Sequence, residues 1–293
     1  MPKKRVDVLM VERGLCPSRA VAQRLVMAGE VRVNGQLVLK ASSTVPGNAD
    51  IEIEQPPPFV SRGGEKLAAA LQSFPISVQG KICADIGAST GGFTDCLLQH
   101  GARRVYAIDV GKGILHWKIR QNARVIVMEE TNARHVEKLP EAVDLITVDA
   151  SFISLKILLP VLKTWYNPKG ISEVPGWQDE TPTQMLETQD GENPKTLVAL
   201  IKPQFEAGRS EVARGGGVIR DTAIHRQVLQ EILEFARSEG FAIQGLMRSP
   251  LMGPKGNTEF LAWMEYPASD QTSSVEIDLD QLTNPETESG NSS

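Results

Sequence analysis

The sequence is poor in cysteine, in aromatic residues and in long apolar segments. Only three of its 293 residues are cysteines, Cys16, Cys83 and Cys96, and none of them forms a CxxC pair. This scattered, odd-numbered set argues against a disulfide framework or a structural zinc site and predicts a protein of the reducing cytoplasm. No run approaches the roughly 18 apolar residues of a spanning helix, and no apolar stretch follows the basic first residues. We therefore predict neither a membrane span nor a signal peptide.

Histidine is also scarce, and its distribution argues against a metal site. The four histidines are isolated from one another and show none of the spacings of metal ligands: His100, His116, His135 and His225. Ser61 and Ser89 lack the histidine and aspartate pattern that a hydrolase nucleophile requires. We therefore expect no bound metal and no hydrolytic triad.

The charge is unevenly distributed along the chain. The net charge is −5, but residues 167–195 and 266–293 are both rich in acids, whereas residues 1–40 are basic. The two acidic segments are too polar to pack, so we predict a flexible insertion at 167–195 and a disordered tail at 266–293. Prolines at 56–58 predict a short linker over residues 57–60, which separates a head, residues 1–56, from a body, residues 61–265.

The head has the pattern of a small α+β domain. Ser18 is a good N-cap for a helix with apolar residues at helical spacing, and Gly29 is a good end for it. Asn34-Gly35 between alternating apolar residues predicts a hairpin, and residues 50–54 alternate like a further strand. The basic balance fits a polyanion partner, although an ordinary solvated surface explains it equally well.

The body alternates strands and helices in the rhythm of an α/β protein. Residues 81–110 read as a strand, a glycine turn, a helix and a second strand, which predicts a parallel sheet with helices on its faces. Further strands are predicted at 125–128, 144–149, 196–202, 241–247 and 259–265, with helices at 155–162 and 222–239. The fold class we predict is α/β, with a Rossmann-like sheet and a small N-terminal α+β domain.

The glycine turn at residues 87–93 narrows the choice of ligand. Ser89 stands where a GxGxxG dinucleotide fingerprint needs glycine, and Phe93 stands where a phosphate-binding P-loop needs lysine. A glycine turn followed by Asp109 at the end of the next strand suits a nucleoside cofactor without a pyrophosphate, such as S-adenosylmethionine. Cytidine or sugar ligands also fit this pattern, and Asp109 could simply cap a turn.

Four charged residues in the body form a candidate catalytic set: Lys66, Asp149, Lys202 and Glu259. Methylation of a ribose 2′-hydroxyl requires a base, and a lysine serves as one only if burial or a nearby cation lowers its pKa. Neighbouring carboxylates would orient the lysines and offset the cost of their charge. Any one of these residues alone is more often a surface or capping charge.

The head resembles an S4 domain, an RNA-binding module of ribosomal proteins and RNA-modifying enzymes. The resemblance lies in residues 5–15, in the arginine-bearing helix of residues 18–29 and in the hairpin of residues 31–35. It implies that basic residues of the head contact RNA phosphates: Arg5, Arg19, Arg24, Arg32 and Lys40.

The body resembles the FtsJ-type ribose 2′-O-methyltransferases, whose hallmark is a Lys-Asp-Lys-Glu tetrad, and with the S4 head it looks like the TlyA family. Residues 61–66, 85–95 and 202–206 carry the resemblance. The family methylates cytidine 2′-hydroxyls of ribosomal RNA with S-adenosylmethionine and was once labelled hemolysin. It implies that Lys202 is the base, that Lys66 and Asp149 shape the site and that Glu259 orients a lysine. It also implies a set of cofactor-binding residues: Asp85, Gly87, Ala88, Ser89, Thr90, Gly91, Gly92, Phe93 and Asp109.

Two rival functions remain at this point. The protein could be a catalytically silent ribosomal RNA-binding or assembly factor, but a pure binder has no need of paired lysines and carboxylates. It could be a membrane-lytic protein, but no apolar span or strongly amphipathic cationic segment supports that function. We therefore predict a cytoplasmic RNA ribose methyltransferase whose partner is ribosomal RNA or a ribosomal subunit.

Overall fold

The computed structural model describes residues 3–54, 57–167, 194–269 and 274–284. The chain divides into two compact units, Met1–Pro58 and Phe59–Ser293. The predicted insertion lies almost entirely outside the described residues, as does part of the predicted tail.

The head combines two helices with two small sheets. Its elements are β1 (Lys3–Arg5), α1 (Val6–Glu12), α2 (Arg19–Met27), β2 (Val31–Val33), β3 (Gln36–Leu37), β4 (Thr44–Pro46) and β5 (Ile51–Ile53). Strands β3, β2 and β5 form one antiparallel sheet, while β1 pairs with β4 in another. A separate apolar cluster, which includes Val6, Met10, Ala22 and Val26, holds the helices on the strands.

Two structures that the sequence predicts in the head, a helix cap and a hairpin turn, are both formed. Ser18 accepts a hydrogen bond from the Val21 backbone N–H and caps α2. Asn34 and Gly35 have φ angles of 51° and 76°, which are the left-handed values that a two-residue hairpin turn needs. The predicted hairpin is therefore formed by β2 and β3.

The body is a seven-stranded sheet between helices. Its first half contains α3 (Gly63–Ser73), β6 (Ile82–Ile86), α4 (Gly92–Gln99), β7 (Arg104–Ile108), α5 (Trp117–Arg120), β8 (Val125–Met128), β9 (Leu145–Val148) and α6 (Leu155–Leu162). Its second half contains β10 (Lys195–Ile201), α7 (Pro203–Glu206), α8 (Arg209–Arg214), α9 (Thr222–Ser238), β11 (Ala242–Arg248), β12 (Phe260–Tyr266) and α10 (Leu279–Thr283). Short 3-10 helices cover Ala133–His135, Lys163–Tyr166 and Pro254–Gly256.

The strand order of this sheet is β11-β12-β10-β9-β6-β7-β8. Strands β10, β9, β6, β7 and β8 are parallel neighbours, and β12 runs antiparallel between β10 and β11. The order turns back at β6, which lies between β7 and β9, and ligands of open α/β sheets bind at such a switch point. The predicted Rossmann-like α/β fold is confirmed.

Alternation along the strands explains the two apolar layers. In β10, Leu197 and Ala199 face the cluster that contains α6 and α9, whereas Val198 and Leu200 face the cluster that contains α3 and α4. Successive side chains of a strand point to opposite faces, so strands buried on both sides read as continuous apolar runs. The core of the body therefore lies on both faces of the sheet.

Two boundaries differ from our expectation. Phe59 and Val60, predicted as part of a linker, pack against the apolar layer of the body. Residues 274–284, predicted as disordered, include α10, and Leu279 and Leu282 pack against the core of the body beside α9. A short segment needs few apolar side chains to pack on the body when a helix face is available beside it.

Candidate active site

A cavity of about 770 Å³ opens at the carboxyl ends of β6, β9 and β10. Its size lies within the range of small-molecule sites. Backbone of the glycine turn forms one wall, and the four residues of the candidate catalytic set line the same cavity: Lys66, Asp149, Lys202 and Glu259. The structure thus brings together two features that lie far apart along the chain.

The glycine turn follows β6 and leads into α4. Gly87 has a φ of +79°, and a Cβ placed on it would lie 2.7 Å from the carbonyl oxygen of Asp149. A Cβ on Gly92 would overlap the Ser61 hydroxyl. These two positions need glycine for space, so the turn packs tightly on neighbouring backbone and presents its own backbone to the cavity.

Six of the nine predicted cofactor residues line the cavity: Gly87, Ala88, Ser89, Thr90, Gly92 and Phe93. The remaining three, Asp85, Gly91 and Asp109, do not. Gly91 has a φ of +95° at the N-cap of α4, so its role is to turn the chain. Asp85 and Asp109 lie beside the turn and accept hydrogen bonds from residues in and next to it.

Asp109 ties the glycine turn to the segment after β7. One carboxylate oxygen accepts a hydrogen bond of 2.8 Å from the Ser89 backbone N–H, and the other accepts one of 2.7 Å from Gly111. These contacts are those of a turn cap, and the predicted contact of Asp109 with a cofactor ribose stays a prediction.

Asp85 lies beneath the same turn and is fully buried. Its carboxylate accepts hydrogen bonds from the hydroxyls of Thr94 in α4 and Thr147 in β9, at 2.7 and 3.1 Å. Burial raises the pKa of Asp85 to about 7, and the two hydroxyls oppose that rise. The residue thus joins the turn, the helix and the sheet, and its predicted contact with a cofactor would be indirect.

The candidate catalytic residues form two ion pairs. Lys66 Nζ lies 2.6 Å from Glu259 Oε2, and Lys202 Nζ lies 2.6 Å from Asp149 Oδ1. Lys202 Nζ also donates to the Asp149 carbonyl oxygen at 3.2 Å and to the Ser151 hydroxyl at 3.0 Å. Both lysines are largely buried, so the carboxylates offset the cost of holding their charges out of water.

Strand register explains why residues so distant in sequence meet. Ile201 pairs with Phe260 in the antiparallel β10–β12 ladder, so Lys202 leaves β10 where Glu259 enters β12. Asp149 follows β9, the parallel neighbour of β10, and Lys66 lies in the first turns of α3. The sheet therefore fixes three of the four positions, and α3 supplies the fourth.

The predicted RNA-binding residues of the head fall into two groups. Arg5 and Arg19 both bind the buried carboxylate of Asp7, at 2.8 and 3.2 Å, and the Arg5 hydrogen bonds hold the pKa of Asp7 well below its usual range. Arg32 pairs with Glu54. Within the described residues, Arg24 and Lys40 are exposed and make no side-chain hydrogen bond or ion pair.

Comparison with known proteins settles the family. Residues 59–266 match the profile of FtsJ-like methyltransferases, and residues 4–51 match the S4 domain. The chain belongs to the FtsJ-like methyltransferase family. The predicted resemblance of head and body is thereby confirmed, and this methyltransferase carries an S4 domain at its N-terminal end.

Relatives of the methyltransferase cover most of its length. A Bacillus subtilis protein named as a candidate rRNA methyltransferase, YqxC, is 42% identical over 92% of this chain and 88% of its own. The 16S/23S rRNA (cytidine-2′-O)-methyltransferase TlyA of Mycobacterium tuberculosis is 38% identical over 89% of this chain and 90% of its own. A solved structure of a candidate hemolysin from Streptococcus thermophilus is 39% identical, with a TM-score of 0.65, and covers 97% of this chain and 95% of its own.

Several residues at the cavity of the methyltransferase were not among our candidates. Gln204 donates to Glu259 Oε1 at 3.3 Å, and Ser151 binds Lys202. Phe152 is 89% exposed with a φ of 64°, and its ring centroid lies 4.7 Å from that of Phe205. The sequence offers Phe152 as an aromatic residue four positions after the end of β9 that could stack on a base, although such residues are more often packed in a core, whereas nothing in the sequence distinguishes Gln204.

Among the described residues there is no group of three or more histidine, cysteine, aspartate or glutamate side chains that could hold a metal ion. Within the same part of the chain, no helix is long and apolar enough to cross a membrane.

Proposed function

We propose that this methyltransferase transfers a methyl group from S-adenosylmethionine to a ribose 2′-hydroxyl of ribosomal RNA, with cytidine as the nucleoside. The observation that carries the proposal is the pair of ion pairs, Lys66–Glu259 and Lys202–Asp149, in the cavity that the glycine turn lines. A site that only bound RNA would not need two lysines held by carboxylates out of solvent.

The cavity fits the cofactor of this reaction. S-adenosylmethionine brings a methyl group that reacts without further activation by the protein. The glycine turn would lie along its methionine portion, since six of its seven residues line the cavity and no side chain fits at Gly87 or Gly92. Asp109 would reach the ribose hydroxyls through the second lone pair of each carboxylate oxygen, which its two turn contacts leave free.

Lys202 is our candidate for the general base. A general base at this position would take the proton of the 2′-hydroxyl as that oxygen attacks the methyl group. Once Lys202 holds the proton of the hydroxyl, Asp149 Oδ1 and the Ser151 hydroxyl are already in place to bind the ammonium group. Glu259 orients Lys66 in this scheme, and Gln204 orients Glu259.

Phe152 is our candidate for holding the target base. RNA is read mainly through unstacked bases that are splayed out and stacked on aromatic side chains. Phe152 offers an exposed ring at the cavity, supported by the ring of Phe205 behind it. Stacking there would place the attached ribose beside Lys202, whose Nζ lies 5.9 Å from the centroid of the Phe205 ring.

The head supplies the second contact with RNA in this proposal. S4 domains bind RNA, and Arg24 and Lys40 are exposed cations with no carboxylate partner within the described residues. The names of TlyA and YqxC support ribosomal RNA as the class of substrate, and that of TlyA supports cytidine. A ribosomal substrate would place the reaction in the cytoplasm.

The test is methyl transfer from labelled S-adenosylmethionine to separated ribosomal subunits from cells that lack this protein. We expect label in RNA that survives alkali as a resistant dinucleotide, because a 2′-O-methyl group blocks cleavage at that ribose. Lys202→Ala should lower the rate at least about 10²-fold, the usual contribution of a general base, and should still bind the cofactor by calorimetry. Lys138→Ala, an exposed lysine away from the cavity, is the control.

Other outcomes point to the rival functions. Tight binding to a subunit without any transfer of label would favour a silent assembly factor. Leakage from liposomes at submicromolar protein would favour the membrane-lytic function that the name of the Streptococcus relative suggests. Near-normal transfer by Lys202→Ala would keep the enzyme but remove Lys202 from the role of base.

A further inference from the structure

The charges that line the cavity do not balance. Four cations and two carboxylates line it: Arg62, Lys66, Lys202 and Lys255, with Asp149 and Glu259. The two carboxylates are paired with Lys66 and Lys202. Arg62 and Lys255 are exposed, and within the described part of the chain their side chains make no hydrogen bond or ion pair. The excess positive charge of the cavity therefore rests on these two side chains.

Arg62 lies in a segment that contacts with neighbouring residues hold in place beside the cavity. It is the N-cap residue of α3, one turn before Lys66. The Val60 backbone N–H just before it donates to Asp95 in α4 at 2.8 Å, and the Ser61 hydroxyl packs against Gly92. The base of the Arg62 side chain is thus held between the ion pair and the glycine turn, while its guanidinium is free.

Lys255 lies in the loop between β11 and β12, which contacts with neighbouring residues also hold in place. Gly253 packs on the Glu259 carboxylate so closely that a Cβ would overlap it, and its N–H donates to the Asn257 carbonyl oxygen at 2.8 Å. Asn257 in turn donates to Gly217 and accepts from Ile219. The loop therefore has a fixed shape at the cavity.

The backbone of Lys255 itself adopts a demanding conformation. Its φ of 62° lies in the left-handed region that side-chain-bearing residues rarely occupy, and such strain is concentrated at functional sites. Its Nζ lies 3.8 Å from the position of a Cβ on Gly217, on the far wall of the same cavity. The Lys255 ammonium group therefore lies at the cavity, close to Gly217.

We propose that Arg62 and Lys255 bind the two phosphates that flank the target ribose. A ribose within an RNA strand carries one singly charged phosphodiester on each side, which matches two unpaired cations. Arg62 lies one turn from Lys66, and Lys255 lies four residues before Glu259, so the Lys66–Glu259 ion pair brings both cations to the same edge of the site. Phosphate contacts fix register without reading sequence. This inference rests on the proposed function.

The test compares Arg62→Ala and Lys255→Ala with controls of equal charge change, Arg237→Ala and Lys138→Ala, which are exposed and do not line the cavity. Binding to ribosomal subunits is measured over a series of KCl concentrations, together with the KM and kcat of methylation and the Kd of S-adenosylmethionine. Each cavity variant should lower the salt slope by about 1. Each should raise KM about tenfold, the order of a hydrogen bond to a charged group, with a smaller change in kcat.

The charge-preserving variants Arg62→Lys and Lys255→Arg should retain most of the wild-type salt slope. Weaker cofactor binding in either alanine variant would overturn the proposal, because that cation would then hold the carboxylate of the cofactor. Salt slopes equal to those of the controls would overturn it as well. Failure of the proposed function would look different, since the wild type would then methylate nothing, and the salt slopes would still decide whether these two cations bind RNA.

Discussion

Lys66 and Glu259 are separated by 193 positions in the chain, yet their side chains form a 2.6 Å ion pair in which the carboxylate is wholly buried. This contact joins the first turns of α3 to the start of β12. It also links the two segments that carry Arg62 and Lys255. The ion pair therefore holds α3 and β12 together, and it is also part of the candidate catalytic set.

We expect Glu259→Gln to destabilise the body and to slow methyl transfer. Loss of the carboxylate leaves Lys66 buried without a counter-charge, which costs about 3 kcal/mol of the free energy of unfolding. Urea denaturation measures this cost. The double variant Lys66→Met with Glu259→Gln should recover part of the stability but none of the activity. Equal stability of Glu259→Gln and wild type would contradict a role for this ion pair in the fold.

Gly87→Ala should abolish transfer with the fold retained. A Cβ there meets the Asp149 carbonyl oxygen at 2.7 Å, and this same carbonyl accepts from Lys202 Nζ. The backbone must shift, so both cofactor affinity and the placement of Lys202 should suffer.

Gly80→Ala is the matched control for Gly87→Ala. Gly80 has a similar φ of +74°, but a Cβ on it has no neighbour within 4 Å. Gly80→Ala should therefore lose only about 1 kcal/mol of the free energy of unfolding, the cost of a side chain at a positive φ, and should keep its activity. Calorimetric cofactor binding and initial rates separate the two variants; comparable activity losses in both would mean that backbone strain alone, and not the close contact, accounts for the effect.

The stability of the body should depend on the protonation of Asp85. Burial raises the pKa of Asp85 to about 7 from an ordinary value of 3.8. Between these values the folded protein holds a proton there that the unfolded chain has lost. The contribution of Asp85 to the free energy of unfolding therefore falls as pH rises from about 4 to 7 and is level above that range.

Asp85→Asn isolates this contribution. The difference in unfolding free energy between wild type and Asp85→Asn should change between pH 4 and 7 and stay constant from pH 8 upwards. Asp7 titrates in the opposite sense, because its pKa is lowered and its stabilisation is lost only as pH falls below about 4. A difference that does not vary with pH would show that Asp85 is charged throughout the range.

In the head, Arg24→Ala should weaken RNA binding without changing stability. Arg24 is exposed and makes no side-chain contact within the described residues, so its removal should alter the free energy of unfolding by less than about 0.5 kcal/mol. The salt slope of RNA binding should fall by about 1 if the side chain contacts a phosphate.

Asp7→Asn is the informative contrast to Arg24→Ala. Its carboxylate holds Arg5, Arg19 and Gln23 together, so the variant should lower the melting temperature of the head as well as its affinity for RNA. An Arg24→Ala protein with wild-type affinity would remove Arg24 from the RNA surface.

Periodicity and glycine placement were sufficient to predict the sheet, the hairpin and the position of the glycine turn. They were not sufficient for α3, because Gly63 and Gly64 at its start are poor helix formers and only packing on the body explains the helix. The pairing of β1 with β4 also escaped prediction, since three-residue strands carry too little pattern. Local signals predict local structure, and these two elements depend on distant partners.

The four candidate catalytic residues were predictable as a set but not as pairs. Motif context picked them out, whereas the pairing of Asp149 with Lys202 depends on the register of β9 against β10, and that of Glu259 with Lys66 depends on where β12 and α3 lie beside β10. The contacts of Asp85 and Asp109 with the cofactor stay predictions, whereas the hydrogen bonds of these carboxylates to the glycine turn and to α4 could not be predicted from the sequence. The sequence does not show which way a carboxylate points. It therefore cannot distinguish an acidic residue at a strand end that contacts a ligand from one that holds a turn.

The two ends of strand β10 have different surroundings. The candidate catalytic residues lie at one end, and the junction with residues 168–193 lies at the other. Residues 168–193 are joined to the described structure at Asn167 and Pro194, beside the start of β10, where the Tyr166 hydroxyl binds the Thr196 carbonyl oxygen. Lys202 follows the other end of that seven-residue strand, about 23 Å away at 3.3 Å per residue. The junction at Asn167 and Pro194 therefore lies at the end of β10 remote from Lys202. A fluorophore or an affinity handle attached there would report on the enzyme while leaving its working edge unencumbered.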